Sequence, residues 1–457
     1  MTNERFIVIG AVAAGMSAAS RARRLKPDME IIVFERTGDV SWAACGMPYL
    51  IEDKVKSASD LVVYDAKFFK EKRNIDIFLY HEVKQIFPQR KTVLAKNIET
   101  SEEKEYPYDK LLISTGARSV VPPIKGIDLK GIFPLRQLQE GVAIKEYIRQ
   151  KSPKKGLIIG AGYIGMETAE AFSERGIKVT IVEKMANIIG TMDDEITQVV
   201  EEELKRNGVT LIKSSAVVEF QGNGSSVTRA VTDSGMSIDI DIALIGVGIR
   251  PNSEIARDAG VALGQTGAIK VNAKMETSLP DIFAAGDCAE AYHLVLGRNV
   301  YIPLGTTANK QGKIAGENIA GGNASFAGIV GTAIFKTFNL EIGRTGITEK
   351  EARAEGIDYV SNVIDQTSRA FYYPGRSDIK VKLVADRKTG RLLGAQMVGK
   401  EGVSKRVDVF ATAITARMTV REVGNLDLGY APPFAPVYDP ILIAAEELQK
   451  KLTAGNR

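Results

Sequence analysis

The chain has 457 residues, of which 44% are hydrophobic and 25% charged, an ordinary globular composition with room for about three domains. Its 60 lysines and arginines nearly balance its 56 aspartates and glutamates, so the formal net charge is +4 and nucleic acid is not expected as a partner. With two cysteines, no signal-peptide pattern and no apolar run of membrane-spanning length, we expect a cytoplasmic protein without a disulfide framework.

The first predicted unit is a strand, a glycine loop, an alanine-rich helix and a second strand. Residues 5–9 form an apolar run, Gly10 and Gly15 frame the loop, and Glu35 ends the second strand. In a dinucleotide-binding unit, the first glycine permits a tight turn, the last permits close helix packing, and the acidic residue binds a ribose. Val12 replaces the middle glycine, so the spacing alone is equally typical of an ordinary turn in a parallel sheet.

One of the two cysteines, Cys45, lies just after this unit in the stretch 41–49. A turn follows it, and Met47, Leu50 and Ile51 then suit the buried face of a helix. Cys45 is therefore predicted at or near a helix N-terminus, where unpaired amides stabilise a thiolate. The alternative is a small buried hydrophobe without chemistry.

A complete dinucleotide fingerprint follows a second apolar strand at residues 156–159. The strand after its helix ends at Glu183. This carboxylate would accept hydrogen bonds from a ribose 2′-hydroxyl and repel a 2′-phosphate, which favours NAD over NADP, although the neighbouring Lys184 softens the repulsion. The three glycines of this fingerprint are Gly160, Gly162 and Gly165.

Two segments outside the fingerprints also indicate a nucleotide site. Residues 111–118 predict a strand that closes on a ligand-facing turn, and the proline pair Pro122-Pro123 then marks a candidate domain boundary. Residues 277–288 predict a buried strand ending at Asp287, which suits either the ribityl chain of a flavin or an ordinary turn. Residues 330–457 carry no phosphate loop and predict a third domain.

The remaining candidates for chemistry are predicted to be structural. Cys288 adjoins the buried strand and is expected to pack in the core. Neither His81 nor His293 has metal-ligand or catalytic spacing, and no CxxC or HxxxH motif occurs, so no metal site is expected.

Two dinucleotide units, a cysteine between them, an Ala-Gly-Asp strand and a C-terminal domain together resemble the pyridine nucleotide-disulfide oxidoreductases. The stretch 41–49 is similar to the single-cysteine active site of the coenzyme A disulfide reductase branch. Enzymes of the glutathione reductase type carry a second cysteine five residues on, where this chain has Leu50. NADH oxidases and peroxidases carry a histidine in the first glycine loop, where this chain has Ala13.

The resemblance implies an α/β fold of two Rossmann-like domains, for FAD and NAD, plus a C-terminal α+β dimerisation domain. The expected bounds are 1–120 with 250–325 for the FAD domain, 121–249 for the NAD domain and 330–457 for the dimerisation domain. It also implies a homodimer in which Cys45 alternates between a thiolate and a mixed disulfide with coenzyme A.

The resemblance assigns roles residue by residue. The catalytic residues are Cys45, Tyr372 and Tyr430. The residues implied to bind FAD are Gly10, Gly15, Glu35, Arg36, Ala117, Arg136 and Asp287, and those implied to bind NADH are Gly160, Gly162, Gly165 and Glu183. Further residues are implied to bind one of these two cofactors, namely Val12, Ala14, Ser114, Thr115, Gly116, Tyr163, Ile164, Glu167, Lys184, Gly248, Gly286, Pro303, Leu304 and Thr307. Those implied to contact coenzyme A are Ser17, Arg21, Arg24, Ser41 and Asn309.

Two departures from the family pattern leave the sulfur substrate open. Ala44 replaces an asparagine often found before the cysteine, and Asn309 stands where a histidine can occur. The cations on the first helix suit coenzyme A phosphates or form a solvated face; they are Arg21, Arg23, Arg24 and Lys26. The alternative functions are an NAD(P)H-dependent polysulfide or sulfur reductase and, from a different class, a redox-sensing flavoprotein.

Overall fold

The computed structural model describes residues 4–454. Its strands are β1 (Arg5–Ile9), β2 (Glu30–Phe34), β3 (Asp76–Phe78), β4 (His81–Phe87), β5 (Thr92–Asn97), β6 (Glu103–Pro107), β7 (Lys110–Ile113), β8 (Ala117–Ser119), β9 (Ile132–Pro134), β10 (Lys155–Ile159), β11 (Lys178–Val182), β12 (Thr210–Ile212), β13 (Val217–Asn223), β14 (Ser226–Thr232), β15 (Ser237–Asp239), β16 (Ile242–Ile245), β17 (Ile249–Pro251), β18 (Ile282–Ala284), β19 (Ala291–His293), β20 (Arg298–Val300), β21 (Ala333–Thr337), β22 (Leu340–Gly346), β23 (Tyr359–Thr367), β24 (Asp378–Asp386) and β25 (Leu392–Gly399).

The α-helices are α1 (Ala13–Leu25), α2 (Met47–Glu52), α3 (Ala66–Arg73), α4 (Leu138–Lys151), α5 (Tyr163–Glu174), α6 (Asp194–Arg206), α7 (Glu254–Asp258), α8 (Gly305–Ile319), α9 (Glu349–Ala354), α10 (Val403–Thr415), α11 (Val420–Gly424) and α12 (Pro440–Ala454). Two short 3₁₀ helices span Ala44–Gly46 and Ala58–Leu61.

The first predicted unit builds a five-stranded sheet in the order β18-β7-β1-β2-β3, with every pair parallel. Its central strands are apolar because helices cover both faces of a parallel sheet. Strand β18 comes from residues 282–284, so the chain returns to this sheet after building the second one. This return brings Gly286, the neighbour of the predicted Asp287, against Ala14 in the first turn of α1.

The complete fingerprint builds a second parallel sheet in the order β12-β11-β10-β16-β9. Strand β10 leads into the glycine loop, and β11 ends one residue before Glu183. Together the two sheets confirm the pair of Rossmann-like units predicted from the sequence.

The C-terminal part of the chain forms an antiparallel sheet in the order β21-β22-β25-β24-β23. Helix α10 packs on β22 and β25, whereas α12 packs on β23 and β24. Every residue of β25 is buried, because helix α6 of the second Rossmann-like unit also packs against this strand. The predicted α+β domain is confirmed.

Helices α1 and α8 approach each other closely enough to exclude side chains from their contact. A Cβ atom added at Gly312 would lie 2.3 Å from the carbonyl oxygen of Ala14, and one added at Gly316 would lie 2.3 Å from that of Ala18. Both positions therefore require glycine for the helices to pack backbone to backbone. The polar residues beside this seam are consequently held in fixed register.

A buried charge network joins the second Rossmann-like unit to the C-terminal domain. The Nζ atom of Lys382 lies 2.8 Å from Glu195, 2.8 Å from Glu349 and 3.4 Å from Asp193. Asp193 also accepts hydrogen bonds from the side chain of Gln396 and from the backbone amide of Glu349. Since a buried charge is costly without its partners, the loop after Glu183 is fixed against the C-terminal sheet.

Across residues 4–454, no helix has both the length and the apolar character needed to cross a membrane. Over the same range, no cluster of three or more histidines, cysteines, aspartates and glutamates is arranged to hold a metal ion.

Candidate active site

Cys45 lies in the 3₁₀ helix that leads directly into α2. The predicted buried face is present, since Met47, Leu50 and Ile51 are 3%, 1% and 0% exposed. A Cβ atom added at Gly46 would lie 2.2 Å from a side-chain carbon of Leu61, so the turn after the cysteine is tightly packed. Cys45 itself remains exposed on this rigid support.

The electrostatic environment of Cys45 differs from the sequence prediction. We expected helix amides to stabilise its thiolate, but burial of the sulfur and then the Glu167 carboxylate raise the pKa of Cys45. Arg136 acts in the opposite direction with a smaller effect. The residue is exposed as a whole while its sulfur is partly desolvated, and desolvation disfavours a charged thiolate. The net pKa shift is therefore opposite to the expected stabilisation of the thiolate, although the backbone amide of Cys45 acts in the expected direction with a smaller effect.

The first glycine loop has the geometry of a phosphate cradle despite Val12. Gly10 has φ +102°, and a Cβ added there would lie 2.4 Å from the carbonyl oxygen of Ser114. The Glu35 carboxylate accepts 2.9 Å hydrogen bonds from the backbone amides of Ala11 and Thr37. The acidic end of β2 is thus fixed against the loop at the N-terminus of α1.

The second loop repeats this arrangement. Glu183 accepts hydrogen bonds from the amides of Ala161 at 2.7 Å and Met185 at 2.8 Å. A Cβ at Gly165 would lie 2.2 Å from the Gly160 carbonyl oxygen, whereas no atom lies within 4 Å of one at Gly162. Packing within the chain therefore explains why residue 165 is glycine. It does not explain the glycine at 162, where the open space suits a ligand that approaches the backbone.

Tyr163, the first residue of α5, is tied to the C-terminal side of the molecule. Its hydroxyl lies 2.8 Å from the Thr191 hydroxyl, and its ring lies 4.8 Å from that of Phe335 between centroids. Arg344 donates a hydrogen bond to the carbonyl oxygen of Thr191. The family resemblance implied that Tyr163 binds a cofactor, but nothing in the sequence indicated its contacts with Thr191 and Phe335.

The predicted residues at the end of β18 come together with Arg136. The Arg136 guanidinium forms an ion pair with Asp287 and donates a 3.4 Å hydrogen bond to the carbonyl oxygen of Ala117. Tyr301, which the sequence did not identify, donates a 3.0 Å hydrogen bond to the Asp287 carbonyl oxygen. Burial raises the pKa of Tyr301, so its hydroxyl stays a donor at neutral pH. Cys288 is buried beside this group, as predicted.

The other predicted cofactor residues occupy the loops around these cradles. Ser114 donates hydrogen bonds to the carbonyl oxygens of Ile9 and Gly10, and Thr115 donates one to Asn252. Gly116 and Gly248 have φ of +68° and +116°, with no atom within 4 Å of an added Cβ. Ala14 and Thr307 are buried, Ile164, Pro303 and Leu304 are half-buried, and Arg36 and Lys184 are exposed.

Four of the five predicted coenzyme A residues lie on α1 or α8, and Ser41 lies in the loop before the 3₁₀ helix that carries Cys45. Ser17 donates a 2.7 Å hydrogen bond to Asn309, and Arg21 forms a 2.5 Å ion pair with Glu317. Ser41 has φ +47°, a left-handed conformation. Within residues 4–454, Arg24 is exposed and makes no ion pair. Since Arg23 and Lys26 bond to other groups of the chain, Arg24 is the cation of this helix best placed for an added phosphate.

Two carboxylates one helical turn apart form an acidic group beside α2. Glu170 is buried, pairs with Lys336 and accepts a 2.8 Å hydrogen bond from the amide of Phe338. Lys54, just after α2, lies 3.8 Å from it. Burial and then Glu170 raise the pKa of Glu167 to about 7. The i, i+3 spacing of the two glutamates on α5 was the available sequence signal for this group.

Tyr372 and Tyr430 lie together in the C-terminal domain, with their hydroxyl oxygens 3.3 Å apart. Their exposed fractions are 60% and 46%. Their surroundings are unusually apolar for a surface, since Phe371 and Phe434 are also exposed. In the part of the chain described, no hydrogen bond joins either tyrosine to Cys45.

The residues present fit both dinucleotide cofactors. Each glycine loop opens a helix N-terminus next to a carboxylate, which suits a pyrophosphate and a ribose. The open position at Gly162 and the left-handed glycines at 116 and 248 leave backbone accessible where a side chain would intrude. The chain therefore has two sites that each suit the pyrophosphate and ribose of a dinucleotide.

Comparison with known proteins gives matches along nearly the whole chain. Residues 4–312 match the pyridine nucleotide-disulphide oxidoreductase family, and residues 332–440 match its dimerisation domain. The chain is 42% identical to the NAD(P)H sulfur oxidoreductase (CoA-dependent) of Pyrococcus furiosus, over 98% of this chain and 100% of that protein. It is 35% identical to the coenzyme A disulfide reductase of Staphylococcus haemolyticus, over 94% and 96%. The structure of reduced Bacillus anthracis CoADR-RHD is 36% identical with a TM-score of 0.96, over 99% of this chain and 81% of that one.

Proposed function

Because the chain belongs to the pyridine nucleotide-disulphide oxidoreductase family, we propose that it reduces coenzyme A disulfide with NADH through Cys45 alone. The observation that carries this proposal is the pair of cysteines. Cys45 is exposed beside the groups that surround Asp287, whereas Cys288 is buried, and Leu50 stands where a second active-site cysteine would be. A dithiol mechanism within one chain is therefore not available.

The protein is an NAD(P)H-dependent flavoprotein oxidoreductase with FAD and NAD(P)H as cofactors. We assign FAD to residues 1–120 with 250–325 and NADH to residues 121–249. The first glycine loop with Glu35, Arg136 and Asp287 would hold FAD, and the second loop with Glu183 would hold NADH. When bound, FAD supplies the two-electron relay between the nicotinamide and sulfur.

The proposed reaction converts one coenzyme A disulfide, one NADH and one proton into two coenzyme A thiols and NAD⁺. The Cys45 thiolate attacks one sulfur of the substrate, forms a new S–S bond and releases the first coenzyme A thiolate. Two electrons then cleave the mixed disulfide, which restores the Cys45 thiolate and releases the second. The hydride of NADH is equivalent to these two electrons and one proton, so that proton and one from solution together protonate the two released thiolates.

The protein's own residues would supply charge and protons in this cycle. Arg136 favours the Cys45 thiolate, while burial and Glu167 oppose it. Protonation of Glu167, whose pKa is raised to about 7, would remove its opposing charge. Tyr372 and Tyr430 would protonate the departing thiolates. The hydrogen bond that joins the two hydroxyls raises the pKa of Tyr430, so its proton is in place at neutral pH.

We assign the C-terminal residues 330–457 to a homodimer interface. The exposed aromatic residues around the tyrosine pair lie within the segment that matches the dimerisation domain. A second copy of the chain would cover this apolar surface and bring Tyr372 and Tyr430 of one subunit to Cys45 of the other. The coenzyme A contacts proposed along α1 and α8 would lie at the entrance to that shared site.

The second candidate function is reduction of polysulfide or coenzyme A persulfide. It is favoured by the identity to the Pyrococcus furiosus sulfur oxidoreductase, which exceeds that to the Staphylococcus haemolyticus disulfide reductase. The same Cys45 would attack a sulfur–sulfur bond in either substrate. A redox sensor, by contrast, would show little steady-state turnover with any disulfide.

Steady-state NADH consumption distinguishes these functions. The purified holoenzyme is assayed anaerobically with coenzyme A disulfide and with polysulfide in the presence and absence of coenzyme A, and in a separate assay with oxygen alone. The proposal predicts the highest kcat/KM with coenzyme A disulfide and two thiols formed per NADH. Faster turnover with polysulfide would select the second candidate, and no turnover with any sulfur substrate would contradict both.

We predict a preference for NADH over NADPH of about 10- to 100-fold in kcat/KM, corresponding to about 1–3 kcal/mol. The Glu183 carboxylate is held in place by two backbone amides, so it cannot turn away from a 2′-phosphate without losing them. Kinetics with both nucleotides measure this preference, and Glu183→Gln should reduce it. Equal efficiency with NADPH would show that Lys184 or another cation governs the pocket.

A further inference from the structure

Arg406 is a buried arginine of α10 that contacts the two segments carrying the tyrosine pair. It is 8% exposed, and its Nε atom donates hydrogen bonds of 2.9 and 3.1 Å to the two carboxylate oxygens of Asp439. Asp439 is also 8% exposed. The pair is therefore desolvated and geometrically fixed, unlike the mobile ion pairs of a protein surface.

The same guanidinium connects two segments that are distant in sequence. Its Nη2 atom donates to the carbonyl oxygens of Ser368 at 3.2 Å and Phe434 at 3.3 Å. Ser368 lies four residues before Tyr372, and Phe434 lies four residues after Tyr430.

These two segments have little else to hold them in register. Residues 368–377 and 425–439 contain neither an α-helix nor a β-strand. Among the described residues they share two further hydrogen bonds, a backbone bond from Ala370 to Pro432 at 3.4 Å and the one between the hydroxyls of Tyr372 and Tyr430 at 3.3 Å. Since long irregular segments are mobile unless tied down, the buried guanidinium that contacts the backbone of both is a principal link between them.

We propose that Arg406 is the positioning residue that holds Tyr372 and Tyr430 together as one proton-donating pair. This inference rests on the proposed function, because it gives the pair its catalytic meaning. Arg406 acts through the backbone of both segments and does not touch the substrate. Its planar fork of donors can serve two carbonyl oxygens and a carboxylate at once, which a lysine ammonium cannot do with the same geometry.

The first test measures the tyrosine pair directly, without turnover. 3-Fluorotyrosine is incorporated at position 430 of the full-length holoenzyme, and its ¹⁹F resonance is followed through a pH titration. In the otherwise wild-type protein the hydrogen bond with Tyr372 raises the pKa of Tyr430, and Tyr372→Phe should lower it. We expect Arg406→Lys and the charge-neutral variant Arg406→Gln/Asp439→Asn to give the lowered value of Tyr372→Phe.

A matched control separates positioning from loss of stability. Val407→Ala on the same helix removes buried apolar atoms from a fully buried site and so lowers stability, and Val407 lies in the core rather than among the Arg406 contacts. Its titration at residue 430 should match that of the wild type. The neutral double variant avoids an unpaired buried Asp439 and keeps the test usable if Arg406→Gln alone fails to fold.

The second test is kinetic non-additivity with coenzyme A disulfide. We expect the Arg406 variants to lose as much kcat/KM as Tyr372→Phe/Tyr430→Phe, about 10²-fold or more. Adding the Arg406 change to that tyrosine double variant should cause no further loss.

The two tests fail in distinguishable ways. Folded, dimeric Arg406 variants whose residue 430 titrates as in the wild type would overturn the inference. Additive kinetic losses would also overturn it, since a merely structural residue lowers activity whatever stands at 372 and 430. If the tyrosine double variant instead reduces coenzyme A disulfide at the wild-type rate, the proposed acid role fails, and the titration alone decides whether Arg406 positions the pair.

Discussion

Cys45→Ser is expected to abolish disulfide reduction while leaving FAD bound. A serine hydroxyl cannot form the mixed disulfide, so no step of the exchange remains available. Cys45 lies on the solvent side of a tightly packed turn, and its exposure means that the substitution costs little stability. Turnover with coenzyme A disulfide should fall to background, whereas the flavin absorbance of the purified protein should match that of the wild type.

Cys288→Ser provides the matched control for this loss. Cys288 is fully buried and donates only weak hydrogen bonds, of 3.4 Å, to the carbonyl oxygens of Ile113 and Ala285. Its replacement should retain turnover wherever FAD remains bound. Turnover retained by Cys45→Ser, or lost by flavin-loaded Cys288→Ser, would exclude Cys45 as the sole redox-active thiol.

Replacing both phenols, as Tyr372→Phe/Tyr430→Phe, is expected to lower kcat with coenzyme A disulfide by about 10²- to 10⁴-fold, the usual effect of removing general acid catalysis. Phenylalanine keeps each ring and removes only the hydroxyl, so the apolar surface stays intact. Each single variant should lose less, because the two hydroxyls lie 3.3 Å apart and one can substitute for the other. Wild-type turnover in the double variant would exclude the acid role.

Mixed dimers test which subunit supplies the tyrosines. Cys45→Ser subunits carry intact tyrosines, and the tyrosine double variant carries an intact cysteine. If each site combines residues of two subunits, one site per mixed dimer has its cysteine and both tyrosines, so activity should reappear on mixing. No recovery in dimers shown to be mixed would place the tyrosines in the same subunit as the cysteine that they serve.

The glycine loops show how far local sequence determines this fold. Gly10 and Gly160 have φ near +100°, and an added side chain would collide with a neighbouring carbonyl oxygen. Only glycine satisfies both conditions, so the loops and the strands on either side were predictable from spacing. The buried face of α2 was also predictable, but from a different signal, because its apolar residues follow a helical period.

The electrostatics of Cys45 were not predictable from its neighbours in sequence. The sequence shows the turn before α2, and it therefore suggests amides that favour a thiolate. It does not show that Glu167, on a helix of the other Rossmann-like unit, faces the same sulfur. Burial of the sulfur and then this carboxylate set the direction of the pKa shift, and the carboxylate is brought there by the long-range packing of α2 against α5. The contacts of Lys382 and Arg406 likewise depend on segments that only the tertiary fold brings together.

The central claim is that Cys45 alone carries the disulfide chemistry, and mass spectrometry of the intact holoenzyme tests it most directly. The protein is treated with coenzyme A disulfide without a reductant, digested and mapped, and a parallel sample then receives NADH under anaerobic conditions. The account predicts a coenzyme A adduct on the peptide containing Cys45, no adduct on Cys288, and loss of the adduct after NADH is added. An adduct that forms elsewhere, or one on Cys45 that NADH does not remove, would contradict it.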